Sequence, residues 1–314
     1  MKKQIIATLL ALSSLLSVGV ANAGAPIKIV KSDLPIKVLY NARKLASDVD
    51  PIIVNGTVLV PIRFVAQKFG ASVHLDGKRI TITKDDKQLV LNIGSKDATI
   101  NGKAQLLVQP ATVIKGRTLV PIRVISEGLG LPVRWDPVAR FVWVGNEDIP
   151  NAKDIAKEVN VDPFRPYFRG SESMLNVYGI PATNAYILKG EDFPVIIGES
   201  VYYRMDLVKA TDGSSFIKYT TTQGGAMGVN LFYLIKKDYV KDYTMRFRPE
   251  IPNLRESIDA FRIHYYSVVD WTDRETIKDD HYDKFKISDA DYIGMTADIT
   301  DRSSDPVLLV NPFK

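Results

Sequence analysis

The 314 residues carry 41 Lys plus Arg against 36 Asp plus Glu, with three His and no Cys. Without cysteine, a small disulfide-stapled secreted fold and lipid attachment at an N-terminal cysteine are both excluded. The charge is split, 18 basic against 11 acidic side chains over residues 24–149 and 21 against 25 over 150–314, so the chain lacks the concentrated basic patch of a nucleic-acid binder.

Residues 1–23 read as a secretory signal peptide. Lys2 and Lys3 open it, Ile5 to Val20 form an apolar run, and Ala21-Asn22-Ala23 is a small-x-small cleavage site. No later stretch is apolar for long enough to span a bilayer, so no integral membrane segment is expected once the signal is removed.

An internal duplication follows. Asn55-Gly56-Thr57-Val58-Leu59-Val60-Pro61-Ile62-Arg63 returns sixty positions later as Lys115-Gly116-Arg117-Thr118-Leu119-Val120-Pro121-Ile122-Arg123, and the match runs ungapped to Asp76 and Asp136. In each copy two short strands flank a tight turn at Asn55-Gly56 or Lys115-Gly116. A helix then begins near Pro61 or Pro121, with Ile62, Val65, Ala66 and Phe69 (or Ile122, Ile125, Ser126 and Leu129) on its apolar face. Gly70 and Gly130 close these helices in a left-handed cap, and strands follow at Arg79 to Thr83 and at Arg140 to Val144. So small a unit buries little alone, and the two copies are expected to share a core or pack together.

Arg63 and Arg123 lie in the first helical turn, where the macrodipole disfavours a cation. Compensation is expected from Asp76 and Asp136 through Arg63–Asp76 and Arg123–Asp136 pairs, with anion binding as the functional alternative. The copies share turn glycines, apolar strand residues and an arginine, with no nucleophile or metal ligand, so the repeat reads as scaffold. A cleft lined by Arg63 and Arg123 would contradict that reading.

These motifs resemble the copper amine oxidase N-terminal-like domain, also called the stalk domain, over roughly residues 36–146. The resemblance implies a non-catalytic α+β module of secreted and surface proteins of Gram-positive bacteria, placed before a variable partner. Oxidase chemistry is not implied: His74, His264 and His281 form no His-x-His pair, and no Asn-Tyr-Asp/Glu sequence for a quinone cofactor occurs. Neither a cofactor nor a metal site is expected.

Only one tyrosine, Tyr40, precedes residue 150 and thirteen follow it, which places a boundary there. The expected division is a signal at 1–23, the duplicated module at 24–149, a linker helix at 150–163 capped by Asn151 or Asp148, and a β-rich domain at 164–314. In the last, strands are expected at Ser173–Gly179, Asn184–Lys189, Pro194–Val208, Ser214–Thr222, Val229–Ile235, Tyr243–Arg248, Ala260–Trp271 and Tyr292–Ile299, as an antiparallel sandwich or jelly roll. Asn253 to Ile258 reads as one helical turn. The fold class is therefore α+β, a duplicated sheet-plus-helix module followed by a mostly antiparallel β domain.

No Gly-x-Ser-x-Gly elbow, His-Glu-x-x-His or phosphate-binding Gly-x-x-x-x-Gly-Lys occurs. Gln223 to Gly228 reads as a hairpin, and Asp298 to Asp305 as an acidic loop or a calcium site outside the EF-hand register. Tyr203, Tyr233, Tyr265, Tyr266 and Trp271 fall in the expected strands, where alternate rings face outward and stack on sugars or face inward as core. The functional expectation is an exported, non-catalytic binding or structural protein of the bacterial cell surface or exterior, its stalk-like module presenting a β domain that binds a glycan or protein, with a cell-wall polysaccharide or another surface protein as partner. The alternative is a secreted hydrolase with its active site in residues 165–314.

Overall fold

The computed structural model describes residues 27–30, 34–177, 179–222, 231–235, 244–295 and 305–314. The expected signal peptide, the expected hairpin at Gln223 to Gly228 and residues 298–304 of the expected acidic loop lie outside the described residues. Strands dominate and helices are short, so the chain is α+β with several antiparallel sheets.

The first half contains β1 (Lys37–Tyr40), β2 (Arg43–Lys44), β3 (Ile52–Val54), β4 (Thr57–Pro61), α1 (Ile62–Lys68), β5 (Ser72–Asp76), β6 (Arg79–Lys84) and β7 (Lys87–Asn92). It continues with β8 (Asp97–Ile100), β9 (Lys103–Leu106), β10 (Thr112–Ile114), β11 (Arg117–Pro121), α2 (Ile122–Gly128), β12 (Val133–Asp136) and β13 (Phe141–Val144). The repeated hairpins β3–β4 and β10–β11 join back to back. Val60 pairs with Val120, Leu59 with Pro121 and Pro61 with Leu119, a register that a local two-fold axis leaves unchanged.

The turns form as expected. Asn55 and Gly56 (φ 49° and 73°) and Lys115 and Gly116 (φ 49° and 72°) are all left-handed, the geometry of a type I′ turn. Gly70 closes α1 by donating to Gln67 O while Ala71 donates to Ala66 O, and Gly130 and Leu131 repeat this on Glu127 and Ser126. Both caps are Schellman motifs.

The copies share one core, as expected, in which Val60, Ile62, Val65 and Phe69 pack with Val120, Ile122, Ile125 and Leu129. The sheets show how. β1–β2 precedes the first copy yet joins the sheet of the second, in the order β12-β13-β1-β2. Its counterpart sixty residues on, β8–β9, joins the first copy's sheet, β5-β6-β7-β8-β9. β13 and β1 run parallel, and β6 and β8 are parallel across the interposed β7. The duplication thus extends back to residue 37, and each copy lends its leading hairpin to the other.

The second half contains α3 (Ala152–Ile155), β14 (Lys157–Asn160), β15 (Asn176–Val177), β16 (Ile180–Pro181), β17 (Asn184–Leu188), β18 (Val195–Ile197), β19 (Ser200–Lys209), β20 (Ser215–Thr222), β21 (Leu231–Leu234) and β22 (Met245–Arg248). After these come β23 (Glu256–Ile258), β24 (Phe261–Ser267), α4 (Thr272–Thr276), β25 (Tyr292–Met295) and β26 (Val307–Val310). A six-stranded sheet, β14-β17-β26-β25-β21-β22, and a five-stranded sheet, β18-β19-β20-β24-β23, share one core of residues such as Leu188, Ile217, Tyr233, Tyr266, Ile293 and Leu309. The 3₁₀ turns at Asp162–Phe168 and Glu172–Leu175 cover the outer face of the larger sheet with Phe168 and Leu175.

Some local expectations fail for identifiable reasons. The 150–163 helix stops at Ile155; Asn151 does cap it, accepting from Lys153 N at 3.0 Å. Residues 157–160 instead form β14 along β17, because edge-strand pairing outweighs the marginal stability of so short a helix. Ser173 to Leu175 are 3₁₀, Asn253 and Leu254 are the expected turn but 256–258 is strand, and Trp271 follows the end of β24 on the turn that opens α4.

Candidate functional site

Two grooves flank the pseudo-dyad of the first half, built from corresponding residues. In the first, of about 670 Å³, Arg63, Phe64, Gln67, Val73 and Leu75 line one wall, and Gly116, Arg117 and Thr118 of the other copy's hairpin face them. In the second, of about 520 Å³, the corresponding wall is Arg123, Val124, Glu127, Val133 and Trp135, faced by Gly56, Thr57 and Val58. The third side comes from the end of the exchanged hairpin and the segment after it, Ala46 and Asp48 in the first groove and Leu106 and Val108 in the second. Each groove needs both copies, because the β4–β11 pairing sets each copy's hairpin against the other copy's helix.

The two have diverged at their rims. In the first, Arg117 donates to Asp48 Oδ2 through Nε at 2.8 Å and Nη2 at 2.7 Å. Among the described residues Arg63 has no ion-pair partner. In the second, Arg123 stands 3.8 Å from Glu127 one helical turn on, and Asn55 donates to Gln109 at 3.1 Å. Leu106 and Val108 are 73% and 71% exposed there.

Neither expected helix-to-strand pair closes. Asp136 is buried and accepts from Val138 N at 3.0 Å and Ala139 N at 2.9 Å, with Arg134 at 3.8 Å. Its carboxylate serves its own turn, as aspartates after strands commonly do. Asp76 is exposed. Both helix-opening arginines line grooves instead.

The aromatic candidates do not form a binding face. Tyr233, Tyr265 and Tyr266 are at most 2% exposed. Tyr233 donates to Ser267 O at 3.1 Å and Tyr265 to Glu256 at 2.5 Å, and burial pushes all three hydroxyls well above the usual tyrosine range. These rings are core because both faces of their sheets are covered, so strand alternation leaves no wet side. Tyr203 is half-buried, edge-on to Trp143 at 6.4 Å and to Phe261 at 5.0 Å, where the two halves meet. Trp271, 65% exposed, is the one candidate that points to water.

A buried charge cluster escaped the sequence reading. Arg246 bonds Asp273 and Asp279, each at 2.5 Å, and Arg248 takes both oxygens of Asp273 at 2.8 Å and reaches Val268 O at 3.1 Å. All four side chains are 6% exposed or less, and both guanidiniums lie over the Phe285 ring. The signal was present: in Met245-Arg246-Phe247-Arg248 the arginines alternate onto one face, and Phe247, not they, faces out.

One histidine–carboxylate pair is relevant to hydrolysis. His264 Nδ1 lies 2.9 Å from Glu250, which Arg255 also grips. Burial raises the Glu250 pKa, but the bonds from Arg255 and His264 outweigh it and hold the carboxyl below its ordinary range. His264 makes no other side-chain hydrogen bond among the described residues, so no nucleophile is coupled to it. The one described carboxylate of the acidic loop, Asp305, caps backbone, accepting from Thr183 N at 2.8 Å and Asn184 N at 3.0 Å. No three His, Cys, Asp or Glu among the described residues stand together as a metal site, and no helix there is long and apolar enough to cross a membrane.

Comparison with known proteins agrees with the architecture. The family model described as the copper amine oxidase N-terminal domain matches residues 39–144, which span β1's end through β13 and so include both copies and both grooves. No curated protein matches the chain.

Proposed function

We propose that the protein is an exported, non-catalytic binding protein of the bacterial surface, which holds an anionic cell-wall polysaccharide in the paired grooves of its stalk-like half. The β-rich half is then the part displayed or anchored by that attachment. One observation carries the reading: the same residue positions build a groove twice, with an arginine at each. A polymer of repeating units presents equivalent groups at intervals, and two linked sites multiply weak affinities into useful retention. The surplus of 18 basic over 11 acidic side chains in residues 24–149 favours an anionic chain.

Co-sedimentation of the full chain with purified cell-wall polysaccharide tests it. Retention should fall with added salt, and the Arg63→Ala/Arg123→Ala double variant should lose at least about tenfold in affinity, by the strength of charge-assisted bonds. Equal retention of that folded double variant would refute the assignment.

A further inference from the structure

Where the halves meet, a second kind of site is built, independent of the grooves. We propose that the cleft between the two halves binds a small oxyanion, a phosphate or carboxylate group, between Lys37 and Lys44, beside the already paired Arg204. The cavity is about 200 Å³, and Lys37, Lys44, Tyr203, Arg204 and Phe193 are among its lining. Its size suits a single anionic group with a compact body, smaller than the usual ligand pocket of roughly 300–1,000 Å³.

The charge in this cleft is incompletely neutralised. Arg204 is 5% exposed and spends Nε and Nη2 on Asp206, at 2.6 Å each, and Nη1 on Ala139 O at 2.7 Å and Pro35 O at 3.2 Å. Asp206 is the cleft's only acidic lining residue, and this fork occupies both of its oxygens. Lys37 and Lys44, both half-buried, have no ion pair or side-chain hydrogen bond among the described residues. The wider surroundings do not remove the surplus. Arg43 and Asp192 neutralise each other at 3.0 Å, and Lys218 sits opposite Asp206 in the β19–β20 register. Glu191 and Asp50 act on Lys44 from longer range.

Burial first, and then the charge of Lys37, press the Lys44 ammonium below the usual lysine range, while burial lowers that of Lys218. Desolvated like charges of this kind cost free energy unless an anion joins them. A ligand here would touch β1 and β2 of the first half and β19 of the second, and so tie the halves together. Tyr203, singled out from the sequence for ring stacking, lines this cleft instead of a glycan face.

The test is titration of the full chain by calorimetry in two arms, inorganic phosphate and glucuronate, against sodium chloride of equal ionic strength. Saturable binding of one anion per chain is expected, with a rise in melting temperature, and the stronger arm identifies the group as phosphate or carboxylate. Lys37→Met and Lys44→Met should each weaken binding by about tenfold or more, while Lys44→Arg retains it. Lys78→Met, on an exposed turn, serves as control and should leave affinity unchanged. If neither anion saturates, or if affinity survives Lys37→Met and Lys44→Met, the site does not exist.

Discussion

Arg248 and Asp273 bind as a two-pronged fork inside the protein, and Arg246 uses the same carboxylate. An aspartate buried beside two guanidiniums is favourable only while all three are present. Asp273→Ala would leave two buried cations with Asp279 as their one remaining acidic partner in the cluster. We expect it to cost about 3–5 kcal/mol, read from denaturant unfolding; a loss below about 1 kcal/mol would mean the cluster contributes little. The alternation of Arg246 and Arg248 puts both on one face, but nothing in the spacing announces Asp273 and Asp279 as their partners, because the four meet only after residues 249–272 have looped around. Tyr233, Tyr265 and Tyr266 are core for a similar reason: strand alternation gives each ring a side, but the sequence does not say that both sides are covered. The Arg123–Asp136 pairing failed because an aspartate can satisfy itself on its own backbone, which no count of positions reveals.

At the scale of elements, the local signals were legible. The Asn55-Gly56 and Lys115-Gly116 turns, the two helices and their glycine caps lie where the pattern places them, since each is settled within a few residues. Pairing between distant segments was not. The leading hairpins share little beyond Asn41 and Asn101, both left-handed at φ 49° and 50°, and their partners are in the opposite copy. β26 and β14 were missed for the same reason, being short strands whose partners are remote or in a neighbouring element. In the larger sheet Phe232 stands opposite Gly294, and a Cβ built on that glycine meets the ring at 1.9 Å. The glycine is there so that the aromatic ring can lie across the neighbouring strand. Gly294→Ala should therefore lower stability by about 1–3 kcal/mol, measured by thermal or urea unfolding, as overpacking does. A neutral result would show that the ring has room to turn aside.

For the whole molecule, the duplication decides both the fold and the site. Exchanged hairpins and the shared β4–β11 sheet give the copies one core, and that sheet makes each groove a joint product, while Leu39, Phe141 and Trp143 pack the first half against Tyr203 and Phe261 of the second. Two independent modules would have been the simpler reading of a repeat, but the shared β4–β11 register and the exchanged edges exclude it. Native-state hydrogen exchange on the full chain tests this most directly. Protected amides in β4 and β11, with those of β1 and β8, should open together, with free energies equal within about 1 kcal/mol, because neither copy's sheet survives without the other. One copy exchanging through its own opening, several kcal/mol below the other, would contradict the interlocked unit and the paired grooves that depend on it.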